Sequence, residues 1–203
     1  MIIGPKYKIA RRLGVPIFEK TQTQKYAIRA GKRAESHGNK RKGVKSGYGL
    51  GMLEKQKARW SYGITSKQFT KYVKNAIGKK GNSAELLIRT LEGRLDNIAL
   101  RSSYAPTRQA ARQMVSHGHL TVNGTIVTIP SYEVSVGDII RIREGSKKKA
   151  LFTNLDERLK AVKLPSWLKL DFDKKEIIVD GVPHAVESEL LFSVSAVLEF
   201  YSR

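Results

Sequence analysis

The chain has 203 residues, enough for one large domain or two small ones, and carries 38 Lys/Arg against 18 Asp/Glu, a formal net charge of +20 at neutral pH. A surplus of that size repels itself in a compact state and calls for a polyanion as partner, nucleic acid first. No apolar run approaches the roughly 18 residues that a membrane span needs, and the absence of cysteine excludes disulfides, a thiolate nucleophile and Cys-ligated zinc.

The positive charge is uneven. Residues 1–149 hold 31 Lys/Arg and 9 Asp/Glu, whereas residues 150–203 hold 7 and 9, so the polyanion is expected on the first three quarters of the chain. The beginning, Met1 to Lys6, lacks the apolar core of a signal peptide, and the basic stretch after it lacks an amphipathic transit pattern. A cytoplasmic protein is expected.

Residues 1–47 mix Lys, Arg, Gly, Thr and Gln with few large apolar side chains, and Gly38 to Gly43 punctuates the most basic stretch. The composition predicts a basic arm, weakly ordered when free, because it buries too little apolar surface to offset the entropy of ordering. From Leu50 to Trp60 a helix is predicted with its basic side chains crowding one side, ended by Tyr62-Gly63. A second helix is expected from Ser66, as N-cap, to about Gly78, with Phe69, Val73, Ala76 and Ile77 forming one buried stripe.

A third helix begins near Ser83 and runs through Leu87, Ile88, Leu91, Leu95 and Ile98, with a break expected near Gly93. The stretch Ala105 to Gly118 has a helix signature at both ends: Thr107 can cap it, and Gly118 can supply a left-handed C-terminal residue. His119 to Val122 and Thr125 to Ile129 alternate in polarity around Asn123-Gly124, a strong two-residue hairpin signal. Pro130 breaks the second strand, and Ile139 to Arg143 offers another before Lys147-Lys148-Lys149. The remainder predicts a helix near residues 154–162, strands at 167–172 and 176–182 across an Asp173-Lys174 turn, and a final apolar stretch from Leu190 to Tyr201. No internal repeat is present.

The run Leu91 to Asn97, followed by Thr107 to Gly118 and Val122-Asn123-Gly124, resembles the small RNA-binding domain named after the bacterial small-subunit ribosomal protein number four. Flanking motifs extend the resemblance to nearly the whole chain: Gly4-Pro5-Lys6, His37-Gly38, Tyr48-Gly49, Glu54 to Lys57, Tyr62-Gly63 and Gln68-Phe69 before it, Ile129 to Tyr132 and Glu199 to Arg203 after it. The small domain alone occurs in several RNA enzymes and binding proteins; these flanks in this order resemble only the ribosomal family. Two departures are present. Many relatives carry zinc-binding cysteines in the arm, absent here, and the usual Pro-Gly before His-Gly is Glu35-Ser36. A zinc-free, differently folded arm is implied.

The resemblance implies an α+β protein: a helical domain of residues 48–92 with 187–203, an RNA-binding module with added strands at 93–186, and the arm at 1–47. It further implies direct binding to the 5′ part of small-subunit ribosomal RNA at a multi-helix junction, nucleating assembly of the subunit body and contributing to decoding accuracy. Neighbouring small-subunit proteins and messenger RNA near its path into the subunit are the other partners implied. No membrane, cofactor or metal and no homo-oligomer is expected.

Arg108 and Arg112, four apart, share a helix face opposite Ala111, Met114 and Val115. Arginine presents a planar fork of donors that matches phosphate oxygens, and duplex RNA is read mainly through backbone and 2′-hydroxyls. A solvated face or an ion pair within the domain is the bland alternative. His117 and His119 flank the helix end, where the dipole favours a protonated imidazole; either can instead be a mere cap. Lys55, Lys57 and Arg59 lie near Tyr48 and Tyr62, so stacking beside phosphate contacts is one reading and structural tyrosines the other. Lys40, Arg41, Lys42 and Lys45 cluster in the arm. Lys6, Arg11, Arg12, Arg94, Asn123, Lys147 and Lys148 complete the expected RNA-binding set.

Two other function classes were open. Gly93-Arg94-Leu95-Asp96 resembles the motif around the catalytic aspartate of pseudouridine synthases, but there it belongs to a large separate domain after the small one. Asp96 is expected to be an ion-pair or hydrogen-bond partner, and the chain is expected not to be an enzyme. A free RNA chaperone or ribosome-recycling factor would lack the flanking motifs.

Overall fold

The computed structural model describes residues 3–36, 46–186 and 189–202. The chain forms two compact units, one of Met1–Ala84 with Glu187–Arg203 and one of Glu85–Val186. The fold is α+β.

The first unit is helical: α1 (Lys6–Leu13), α2 (Gln24–Ser36), α3 (Gly47–Ser61), α4 (Ser66–Gly78) and, from the chain's end, α9 (Val194–Ser202). The beginning of the chain departs from the weakly ordered arm that its composition predicts. Ala10 and Leu13 of α1, with Ile17 and Phe18 just after it, are all buried and pack with Leu53 and Trp60 of α3; Phe18 lies edge-on to Trp60 with centroids 6.1 Å apart. Four apolar side chains suffice because α3 supplies the other half of the core. Gly14 ends α1 at φ 76°, and its N–H donates to the Ala10 carbonyl at 2.9 Å. Lys40, Arg41, Lys42 and Lys45, with the Gly38 to Gly43 punctuation, lie outside the described residues.

Ser46 caps α3, its hydroxyl accepting from the Gly49 N–H. The helix starts at Gly47, three residues before the predicted Leu50. Thr65, not Ser66, caps α4. Of its predicted stripe, Phe69, Val73 and Ala76 are buried, but Ile77 is 39% exposed, since it begins the next turn and rotates away from that face. The α3 and α9 backbones come so close at Gly51 that a Cβ there would sit 2.8 Å from Phe200 Cδ2. Ser193 N–H donates to Glu54 Oε2 at 2.9 Å, and the Thr70 and Tyr201 hydroxyls are 2.9 Å apart.

In the second unit the predicted third helix is two: α5 (Ser83–Glu92) and α6 (Leu95–Arg101). At the break the Leu95 N–H donates to the Tyr132 carbonyl and the Val134 N–H to the Gly93 carbonyl. A Cβ on Gly93 would stand 3.0 Å from the Arg89 carbonyl oxygen. Then come α7 (Arg108–Ser116), α8 (Leu155–Ala161) and strands β1 (Leu120–Val122), β2 (Thr125–Ile126), β3 (Ile139–Ile142), β4 (Leu168–Asp171) and β5 (Glu176–Val179). The sheet is antiparallel throughout, in the order β2-β1-β3-β5-β4. Asn123 and Gly124 both have positive φ, 51° and 82°, the backbone that a primed two-residue turn requires. The predicted second strand shortens to two residues.

Leu95, Ile98, Met114, Leu120, Ile140, Leu159, Trp167 and Ile177 build one core. Two polar atoms inside it are satisfied: Tyr104 donates to the Lys175 carbonyl at 2.7 Å, and Trp167 Nε1 donates to the His184 carbonyl at 2.9 Å. No described helix is long and apolar enough to cross a membrane.

Candidate nucleic-acid interface

The second unit's polar centre is at the α5–α6 break. Glu92, fully buried, accepts from Asn97 Nδ2 at 2.8 Å and from two guanidinium nitrogens of Arg101, at 3.2 and 2.9 Å. Asn97 passes the polarity on, accepting from Arg108 Nη1 at 2.7 Å. Asp96 takes a bidentate pair from Arg94, at 2.9 and 2.8 Å, and faces Arg112 Nη1 at 3.7 Å. Both α7 arginines therefore lean on the first turn of α6. Their arrangement is set by a carboxylate and an amide that a helix break delivers to one place.

This geometry divides the expected residues. Arg108 and Arg112 share the α7 face and are partly exposed, the Arg112 side chain 35% so. Arg108 is held by Asn97 and Arg112 faces Asp96, and arginine carries five donors. The ion-pair reading thus describes Arg112, and its partial exposure is compatible with the phosphate-binding reading. Arg94 is a correction: it is 1% exposed and clamped by Asp96, so it holds the α6 entry rather than offering itself at a surface. Asp96 is the ion-pair partner that the sequence suggested, and Arg101 is the member of the cluster that sequence reasoning missed. Its signal was Glu92, an acid in an otherwise apolar helical row.

Around the end of α7, His117 is exposed, and its ring lies 6.0 Å from that of His119. His119 Nδ1 sits 2.9 Å from Ser146 Oγ, and its ring meets Phe152 edge-on. Burial, then the charges of Lys149, His117 and Arg143, hold the His119 pKa below its ordinary value. Of the two readings open for His119, that direction runs against the protonated imidazole, and the ring is engaged with Ser146. Asn123 is exposed, but its side chain is engaged within the module. Its amide donates to Asp138 and its carbonyl accepts from the Ile139 N–H, so it fastens the hairpin. Lys147 pairs with Glu144, whereas Lys148 lies exposed in the same loop, with Lys149 and Arg143 beside it in sequence and also exposed.

In the first unit, Lys55 Nζ lies over the rings of Phe200 and Tyr201, 5.2 and 5.0 Å from their centroids, and Lys57 pairs with Glu54 at 2.6 Å. Arg59 stacks on Trp60 at 4.4 Å, half buried, and desolvation lowers its pKa. Its Nε is buried without a hydrogen-bond partner. Tyr62 is a second correction: it is 5% exposed, edge-on to Phe192, a core residue and not a stacking platform. Tyr48, 61% exposed and tilted against Phe200, keeps an open face. Arg11 and Arg12 stand exposed in the last turn of α1, and Lys6 lies over Phe18. A groove between α1 and α3 is lined by Arg12 from α1 and by Gln56, Arg59 and Trp60 from α3. The described residues contain no cluster of three or more potential metal ligands.

Comparison with known proteins covers the whole chain. Residues 1–92 match the family described as the ribosomal protein S4/S9 N-terminal domain, and residues 93–140 match the S4 domain. Small ribosomal subunit protein uS4 of Chlorobium limicola is 39% identical over 200 residues, 98% of each chain. The uS4 of a Polaromonas species is 39% identical over 203 residues, covering 99% of this chain and 98% of its own, and that of Chloroherpeton thalassium is 37% identical over 200 residues, 98% of each.

Proposed function

The chain belongs to the family of small ribosomal subunit protein uS4, and from that premise we propose that it binds the 5′ domain of small-subunit ribosomal RNA at a junction of several helices. It is a structural protein of the small ribosomal subunit and not an enzyme; its partners are ribosomal RNA and other ribosomal proteins, and the cytoplasmic ribosome is its place. By holding converging RNA helices it nucleates assembly of the subunit body. It borders the messenger's path, contributes to decoding accuracy and acts as a single copy.

The observation that carries this reading is the α7 face, where Arg108 and Arg112 are aligned four residues apart by the Asn97 and Asp96 side chains. Two pre-positioned forks suit the phosphates of an A-form groove, which offers shape and backbone rather than base edges. Lys148, Arg11, Arg12 and Tyr48 supply further contacts, and binding releases counterions in proportion to the phosphates neutralised.

The test is affinity for the 5′-domain RNA across a salt series, beside an unrelated duplex of equal length. Preference for the cognate RNA that persists at high salt supports the reading. The slope should flatten by about one when Arg112 is replaced by Gln. Equal binding of both RNAs would make the chain a generic polyanion binder and end the specific claim.

A further inference from the structure

The first unit contains a second arrangement of rings and cations, away from the α3 cations that the sequence singled out. Between α1 and α2 lies a cleft of about 350 Å³ lined by Tyr7, Arg11, Thr23, Lys25, Tyr26 and Arg29. Tyr7 and Tyr26 are stacked, with centroids 5.6 Å apart and planes at 19°. Tyr7 is 50% exposed, so the stack continues to an open surface. Arg11, one turn after Tyr7, is fixed by donating from Nε to the Tyr7 carbonyl at 3.3 Å. From Ile3 to Lys32 there are eight Lys/Arg and a single carboxylate, Glu19, so little in this segment offsets the cations of the cleft.

We propose that this cleft holds one unpaired nucleotide of the bound RNA, its base against the Tyr7–Tyr26 stack and its phosphate on Arg11, Lys25 or Arg29. The ring stack decides between ligands. Cations alone would suit any phosphate or an acidic peptide, but an aromatic face open to solvent gains from a flat π surface, and a nucleobase presents one. Inside a duplex both faces of a base are covered by its neighbours, so only a bulged, looped or terminal nucleotide can reach the rings. The volume lies in the range of small-ligand sites and not of a groove that accepts a helix.

The proposal rests on the RNA-binding reading but fails separately from it. The full-length chain is titrated with a single-stranded oligoribonucleotide containing 2-aminopurine, with the same strand in a duplex, and with the ribosomal 5′-domain RNA. The 2-aminopurine emission should fall on binding of the single strand and hardly change with the duplex. Tyr7→Ala should weaken single-strand binding roughly tenfold and abolish the fluorescence change, while Tyr7→Phe keeps both. Arg29→Gln should reduce the salt slope by about one without removing the quench, and it serves if Tyr7→Ala does not fold. Equal competition by polyglutamate of matched charge, or Tyr7→Ala indistinguishable from wild type on the single strand, would overturn the nucleotide site. A wild-type chain that ignores the 5′-domain RNA would instead sink the ribosomal reading itself.

Discussion

Removing Asp96 should destabilise the second unit more than any surface substitution, because it takes a bidentate carboxylate partner from the buried Arg94. The two side chains are 2% and 9% exposed and joined by two hydrogen bonds of 2.9 and 2.8 Å. An exposed pair of this kind contributes about 0–1 kcal/mol, whereas breaking a buried one costs about 3–5 kcal/mol because the surviving ion keeps its desolvation penalty. Burial decides for the second regime. Arg112, 3.7 Å from Asp96 with its side chain 35% exposed, adds little, since water takes over its solvation. Asp96→Ala should therefore lose about 3 kcal/mol, or roughly 12 °C or more in Tm for a unit of this size. The pair variant Arg94→Met with Asp96→Leu should recover most of that loss, because an apolar pair of similar volume carries no buried charge. Urea denaturation of the wild type and these two variants measures this. A loss below about 1 kcal/mol for Asp96→Ala, or no recovery in the pair variant, would refute the burial reasoning.

Gly51→Ala should cost about 1–3 kcal/mol by pushing α9 off α3, since the new Cβ would stand 2.8 Å from Phe200 Cδ2; Gly78→Ala, with no atom within 4 Å of its Cβ, should be neutral or slightly stabilising by denaturant titration. Tyr104→Phe deletes the donor to the Lys175 carbonyl and should cost about 1 kcal/mol; the native phenol, pushed up by burial and by Glu176, should stay un-ionised through ordinary alkaline titration. For His119 the folded pKa lies below the unfolded one, so the unfolded chain binds the extra proton and stability falls as pH drops through the ordinary value of 6.5 towards the folded pKa. His119→Gln should flatten that acid-side slope in urea melts run across the same window, and an unchanged slope would show that another group carries it.

Much of the fold is written in local chemistry. Thr107, Gly118, Asn123 and Gly124 each demand one backbone conformation, and the structure gives those positions the N-cap, the left-handed end and the primed turn. The helices within residues 3–36 are not legible from composition, which counts apolar residues without asking what they meet. Ala10, Leu13, Ile17 and Phe18 are few, and only α3 makes them a core. Among the expected site residues, Arg108 and Arg112 follow from a four-residue spacing that any helix places on one face. The engagement of Arg94, Tyr62 and Asn123 does not, because whether a polar or aromatic group is held by the fold depends on partners distant in sequence or across a turn: Asp96 beyond the helix break, Phe192, and Asp138 with Ile139. The Tyr7–Tyr26 stack was illegible for the same reason, since it needs two helices to meet.

The central claim, residence in the small ribosomal subunit through direct RNA contact, is tested most directly by sedimenting the tagged full-length chain with ribosomes at a salt concentration that strips loosely held proteins. One copy per small subunit, retained through the gradient and diminished when Arg108 and Arg112 are both replaced by Gln, is the predicted result. A chain found free at the top of the gradient, or spread over all RNA-containing fractions alike, would contradict it.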